Sequence, residues 1–143
     1  MIARWFTSLR IFLVWLLGFA LALIIMALGH ELTMSFVVNT LNGGSYIVRL
    51  TYVVYYTIAG LLCVAYYILI HEFLSISARK KRLLKNSLLV IGIQLLLIFL
   101  IHLGLLAYDF FPKDRFLILL AAAEGLAAAA MLFFALLKHK PSP

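Results

Sequence analysis

A chain of 143 residues that is 66% hydrophobic and 12% charged carries more apolar surface than a water-soluble core of its size can hide. That composition points to an integral membrane protein and leaves no room for a second domain. The net charge of +7 does not point to nucleic acid, because the basic residues sit between apolar runs, where they set membrane topology.

Four segments reach the roughly 20 apolar residues that a helix needs to cross a bilayer. Backbone groups in lipid must be satisfied within the segment, so all four are expected to be helices. The predicted fold is an all-α integral membrane protein, a single domain of four transmembrane helices in an up-down bundle.

Span one is Ile11–Leu28, preceded by Trp5 and Phe6. The leader MIARWFTSLR and the small residues of Ala27-Leu28-Gly29 imitate a cleaved signal peptide. The apolar run is longer than the usual 7–15 residues of such a signal, so a retained span is expected. The outer loop 29–49 follows, with Asn42-Gly43-Gly44 as its turn signal. Leu32, Phe36, Val37 and Leu41 form an apolar stripe there. Two readings fit it: a short helix lying on the outer membrane face, or a continuation of span one.

Span two is Leu50–Ile70. Tyr46 and Tyr52 fall near its outer end and Tyr66 and Tyr67 near its inner end, as an interfacial belt of amphipathic rings. Tyr55 and Tyr56 lie deeper and are expected to face the bundle interior, where their hydroxyls could find partners. The lone Cys63 forms no internal disulfide and reads as a small apolar residue of the span.

A basic cytoplasmic loop, residues 75–87, carries Arg79, Lys80, Lys81, Arg82 and Lys85. These side chains enforce topology and are candidates for contact with anionic lipid head groups, at roughly 1 kcal/mol each. Span three, Leu88–Tyr108, is interrupted by Gln94 and His102, and Tyr108, Phe110 and Phe111 mark its outer end. The loop 109–115, DFFPKDR, is short and contains Pro112, so spans three and four should form an antiparallel hairpin. Span four, Phe116–Leu137, is interrupted only by Glu124.

Nine basic residues fall on one side of these spans: Arg4, Arg10, the five of loop 75–87, Lys138 and Lys140. Three fall on the other, Arg49, Lys113 and Arg115. Both termini are therefore expected in the cytoplasm, in a bacterial inner membrane.

Glu124 lies about 12 Å from the outer end of span four and His102 about 9 Å from that of span three, at 1.5 Å per residue. On antiparallel neighbours the two would lie at nearly equal depth and could meet. Ionisable groups inside a span are costly and mark functional or packing sites. Together with Tyr55, Tyr56 and Gln94 they form the expected intramembrane polar cluster. Ala121, Gly125 and Ala129, spaced by four, form a small-residue face for close helix packing, bordered by Glu124.

Neither His30-Glu31 nor His71-Glu72 opens a zinc-protease motif, because Met34 and Ser75 stand where the second histidine belongs. His30 and His102 differ by about 9 Å in depth, which does not suit axial haem ligation. Ser75, Ser77 and Ser87 have no His–Asp arrangement beside them. No catalytic residue, metal site or cofactor is expected. The layout resembles that of many small bacterial membrane proteins and does not by itself assign a function. The expected role is a non-enzymatic subunit, assembly factor or partner protein, acting through helix–helix contacts within a larger membrane complex. The second reading is a homo-oligomeric transporter, channel or holin-like pore, with Glu124 and His102 near the path.

Overall fold

The computed structural model describes residues 2–40, 44–107 and 115–137, with side chains from Thr7 onward. All of it is helical apart from one turn and a cap. The helices are α1 (Ile2–Thr40), α2 (Ser45–Arg79), α3 (Leu83–Ala107) and α4 (Arg115–Leu137). Each is long and apolar enough to cross a membrane, as an integral membrane protein requires. The segment 108–114, with Tyr108, Phe110, Phe111 and Pro112, lies outside the described residues, as do Asn42-Gly43, Lys138 and Lys140.

α1 and α2 are longer than their apolar runs. Residues 29–40 continue α1 as regular helix, so the extension reading holds over the surface-lying helix. Nothing between Gly29 and Thr40 breaks a helix; of the apolar stripe, Phe36 is exposed and Leu41 lies outside the described residues, while the other two members pack. Val37 is buried, and Leu32 lies against Gly104 of α3.

The expected loop 75–87 contracts to a tight turn at Lys80–Arg82, because Ala, Arg, Lys and Leu are all good helix formers. The Arg82 amide donates to the Ser77 carbonyl and the Lys81 amide to that of Ala78. This is the paired bonding of a Schellman cap. Its left-handed position is taken by Lys81, at φ 54°, where glycine is the usual occupant. Lys81→Gly should raise stability by about 0.5–1 kcal/mol by relieving that backbone, as read by thermal unfolding in micelles. An unchanged or lower midpoint would mean that the lysine side chain contributes more than the strain costs.

Contacts give the helix directions. Gly18 and Leu32 of α1 meet Gln94 and Gly104 of α3 in the same order, so these two helices run parallel. Trp15 pairs with Tyr67 and Met26 with Tyr55, so α1 and α2 run antiparallel. Gly92 meets Leu132 and Phe99 meets Gly125, so α3 and α4 are also antiparallel.

The helices form an open array rather than a closed ring. α3 packs on both α1 and α4 and touches α2 little beyond their turn, while α4 packs on α3 alone among the described residues. α3 is accordingly the most buried helix, through Ser87, Ile91, Gly92, Gln94, Ile98 and Leu105.

One close approach joins α1 to α2. The Tyr55 hydroxyl donates to the Met26 carbonyl at 2.6 Å. The Tyr55 hydroxyl oxygen also lies 2.6 Å from where a Cβ on Gly29 would stand. Gly29→Ala should therefore cost about 1–2 kcal/mol by expelling the hydroxyl from its acceptor. The same change should cost clearly less in a Tyr55→Phe background, where the obstructing oxygen is gone. A double-mutant cycle of unfolding in micelles checks this, and additive losses would contradict it.

Candidate functional site

The polar side chains expected as one cluster fall into three places. The first lies between α3 and α4. His102 and Glu124 project towards each other from antiparallel helices, and Nδ1 stands 2.7 Å from Oε2. Their side chains are 14% and 16% exposed, so the pair is largely enclosed by apolar neighbours. Whether imidazolium faces carboxylate or imidazole faces carboxylic acid, one proton is shared across the contact. The bond satisfies both costly groups at once.

The small-residue face of α4 surrounds this pair with a shifted phase. Ala121, Ala128 and Ala135 are buried at seven-residue spacing, and Gly125 receives the ring of Phe99 at 3.1–3.3 Å from a notional Cβ. Ala129 is exposed and lies outside the contact. The reason is geometric. Steps of four residues drift about 40° each around a helix of 3.6 residues per turn, whereas steps of seven drift only about 20°. Ala128 therefore stays over Ala121, while Ala129 rotates away.

The second place joins α3 to α1. Gln94 is 5% exposed, and its Nε2 donates to the Gly18 carbonyl at 2.8 Å. Its Oε1 is buried without a partner, and the Gln94 side chain lies within hydrogen-bonding reach of the Tyr66 hydroxyl. Both oxygens face Gly18, at 3.6 and 3.1 Å from where its Cβ would be. α2 runs on to Arg79, which puts Tyr66 about 20 Å inside the helix end at 1.5 Å per residue.

The third place lies between α1 and the N-terminal half of α2. His30 is ringed by Tyr52, Tyr55 and Tyr56 at centroid distances of 5.4, 5.6 and 5.0 Å. Farther along the same seam, Trp15 meets Tyr67 edge-on at 4.7 Å and donates to its backbone carbonyl at 3.3 Å. Such aromatic contacts add about 0.5–1.5 kcal/mol each beyond area burial. No signal of periodicity would have found this ladder, because it needs the relative rotation of two helices.

A cleft of about 820 Å³ opens between α2 and α3 over α1. Its walls include Met26, Val54, Ala59, Leu62 and Leu97, with Tyr66 and Gln94 as its polar points. At the far end of these helices, Arg79, Lys80, Lys81 and Arg82 are exposed on one turn, and Lys85 is half-buried on the first turn of α3. Among the described residues none of the five makes an ion pair. The turn is pinned by Asn86, whose Nδ2 donates to Ser77 Oγ at 2.8 Å. Among the described residues no group of three or more His, Cys, Asp and Glu gathers to hold a metal.

The fold and these contacts define a class, an all-helical protein of four membrane-length helices. Compared with known proteins, the chain matches no family model, no curated protein and no solved structure.

Proposed function

We propose that this protein is a non-enzymatic subunit or assembly partner of a larger membrane complex, engaging other membrane polypeptides through α4. The observation that carries the reading is the one-sided attachment of α4. It packs on α3 alone among the described residues, through a small-residue stripe and one hydrogen-bonded pair. Every exposed position from Ile118 to Leu137 carries an apolar side chain, so the remaining circumference suits lipid or another helix. In this reading the four helices cross a bacterial inner membrane as an up-down bundle with both termini in the cytoplasm. The exposed cations of the α2–α3 turn support that orientation and would lie among anionic head groups.

The pore reading draws less support. A water path needs polar groups on a face open to the path, whereas His102, Glu124 and Gln94 each turn towards a neighbour in their own chain.

Photo-crosslinkers at Leu119 and Leu126 of α4, with Leu61 of α2 as control, would test the subunit reading in native membranes. The expected result is an adduct with a different polypeptide from the α4 positions and none from Leu61. A monomeric native mass with no adduct would overturn it. A ladder of self-adducts would move the reading to a homo-oligomer.

A further inference from the structure

A pocket of about 580 Å³ opens on the α1–α2 seam, at the end of the molecule that carries the α2–α3 turn. Its lining is sorted by polarity along the helix axes. Phe12, Trp15 and Tyr67 form the part nearer the middle of the helices, and Ser8, His71 and Ser75 the part nearer the turn. The antiparallel run of the helices brings this about. Trp15 lies against both Tyr67 and His71, at centroid distances of 4.7 and 6.3 Å. Ser8, two turns before Trp15, therefore falls level with Ser75, two turns after Tyr67. The division coincides with the ends of the apolar runs, since Ile11 opens that of α1 and Ile70 closes that of α2.

The polar part has its bonding capacity unused. Thr33, Thr57, Ser77 and Ser87 each turn the hydroxyl back to donate to the carbonyl four residues earlier. Among the described residues Ser8 and Ser75 make no such bond, and the ring nitrogens of His71 have neither a hydrogen bond nor an ion pair. Two hydroxyls and an imidazole thus offer at least three N–H or O–H donors to one pocket. His71 is exposed and Ser75 half-buried, so a ligand reaches them from the surface.

The surrounding charge gives the sign of the ligand. No carboxylate lines the pocket; Glu72, next to His71, is exposed and stands outside the lining. Arg79 follows Ser75 by four residues, on the same face of α2. An ammonium group would find rings here without a counter-charge. An anion finds three donors and a cation one turn away. The donors come from both helices, one from α1 and two from α2, so the accepting oxygens must spread out of a single plane. Phosphate oxygens do this, and the two of a carboxylate do not. The rings beside the donors call for an apolar body on the same molecule, and Trp and Tyr are the side chains that favour the head-group level of a bilayer.

We propose that this α1–α2 pocket is a phospholipid site, taking the phosphate of one head group between Ser8, His71 and Ser75 and the glycerol end of its acyl chains on Phe12, Trp15 and Tyr67. The site is separate from the exposed cations of the α2–α3 turn. It goes beyond the subunit reading, which rests on α4.

The test uses the full chain in micelles of a neutral detergent. Native mass spectrometry counts bound dioctanoyl phosphatidylglycerol, and Trp15 emission, read in a Trp5→Phe variant, reports on the pocket. Phosphatidylglycerol should bind saturably, shift the Trp15 emission, and do so at about tenfold lower concentration than dioctanoylglycerol, which keeps the chains and lacks the phosphate. Decanoate, an anion on a chain, should fall behind by a similar factor. Inorganic phosphate should need about a hundredfold more, for want of the apolar part. His71→Ala should weaken binding about fivefold, the effect of one lost hydrogen bond. Ser75→Leu fills the pocket without altering net charge and should abolish the emission shift, whereas attraction to the turn cations alone would leave it in place. Equal binding of phosphatidylglycerol and either dioctanoylglycerol or decanoate by the unsubstituted protein would overturn the proposal, and that comparison stands even if a variant fails to fold. An equal response to inorganic phosphate would overturn the lipid assignment in favour of a soluble phosphate. Binding that leaves Trp15 unchanged would overturn the site. The α4 crosslinks report on the subunit reading separately.

Discussion

Glu124→Leu is expected to loosen α4 from α3 at a cost of about 2–4 kcal/mol, at or just below the range for breaking a buried pair by removing one partner. His102 would keep a polar Nδ1 with nothing in reach, in surroundings that exclude water. The exposures of 14% and 16% place the loss towards the low end of that range. Replacing both residues by leucine should restore most of the stability, because the desolvation of both groups disappears together with their bond. Glu124→Gln should lose about 1 kcal/mol or less, since the carboxamide can donate to or accept from Nδ1. Reversible unfolding in mixed micelles measures all three. If the single and double leucine variants were equally destabilised, the effect would come from packing and the pair would not be what holds α4.

Gly125→Leu should have a comparable effect by a different route. The Phe99 ring already lies 3.1–3.3 Å from the position of a Cβ on this glycine. A leucine would have to push that ring away or lift α4 off α3, and overpacking of this kind costs about 1–3 kcal/mol. α4 has no second neighbour among the described residues to hold it meanwhile. A cysteine pair placed across the α3–α4 seam should then crosslink more slowly. Gly60→Leu is the control, because a Cβ there meets nothing within 4 Å. If both variants crosslinked at the unsubstituted rate, close packing at Gly125 would be shown not to matter.

Some of this arrangement was legible in the sequence. The four helices follow from four long apolar runs, because lipid leaves the backbone no other solution. The His102–Glu124 meeting follows from similar offsets about a short connection, which needs only rise per residue. Helix ends were less legible. α1 and α2 continue through polar and basic residues that favour helix as much as the apolar ones do, so an apolar run marks less than the whole helix. Within these long helices Tyr66 packs against Gly18 of α1, and His30 packs against Tyr55 and Tyr56 of α2. The Gln94–Gly18 bond spans 76 positions between parallel helices and depends on rotation angles, which spacing alone does not encode. Ala129 turns away from α3 because a four-residue stripe and a seven-residue stripe diverge within two steps.

The parallel run of α1 and α3 has a consequence for how the chain is put together. Parallel neighbours cannot be joined by a tight turn, so their seam forms only after α2 has crossed back between them. α1 with α2, and α3 with α4, can each close as a hairpin while the chain is being made, using contacts local in sequence. The amide of Gln94 then acts as a latch between two finished halves, engaging Gly18 only when both are in place. A chain stalled before that step would hold two hairpins free to drift apart, each with a bare glycine groove facing lipid.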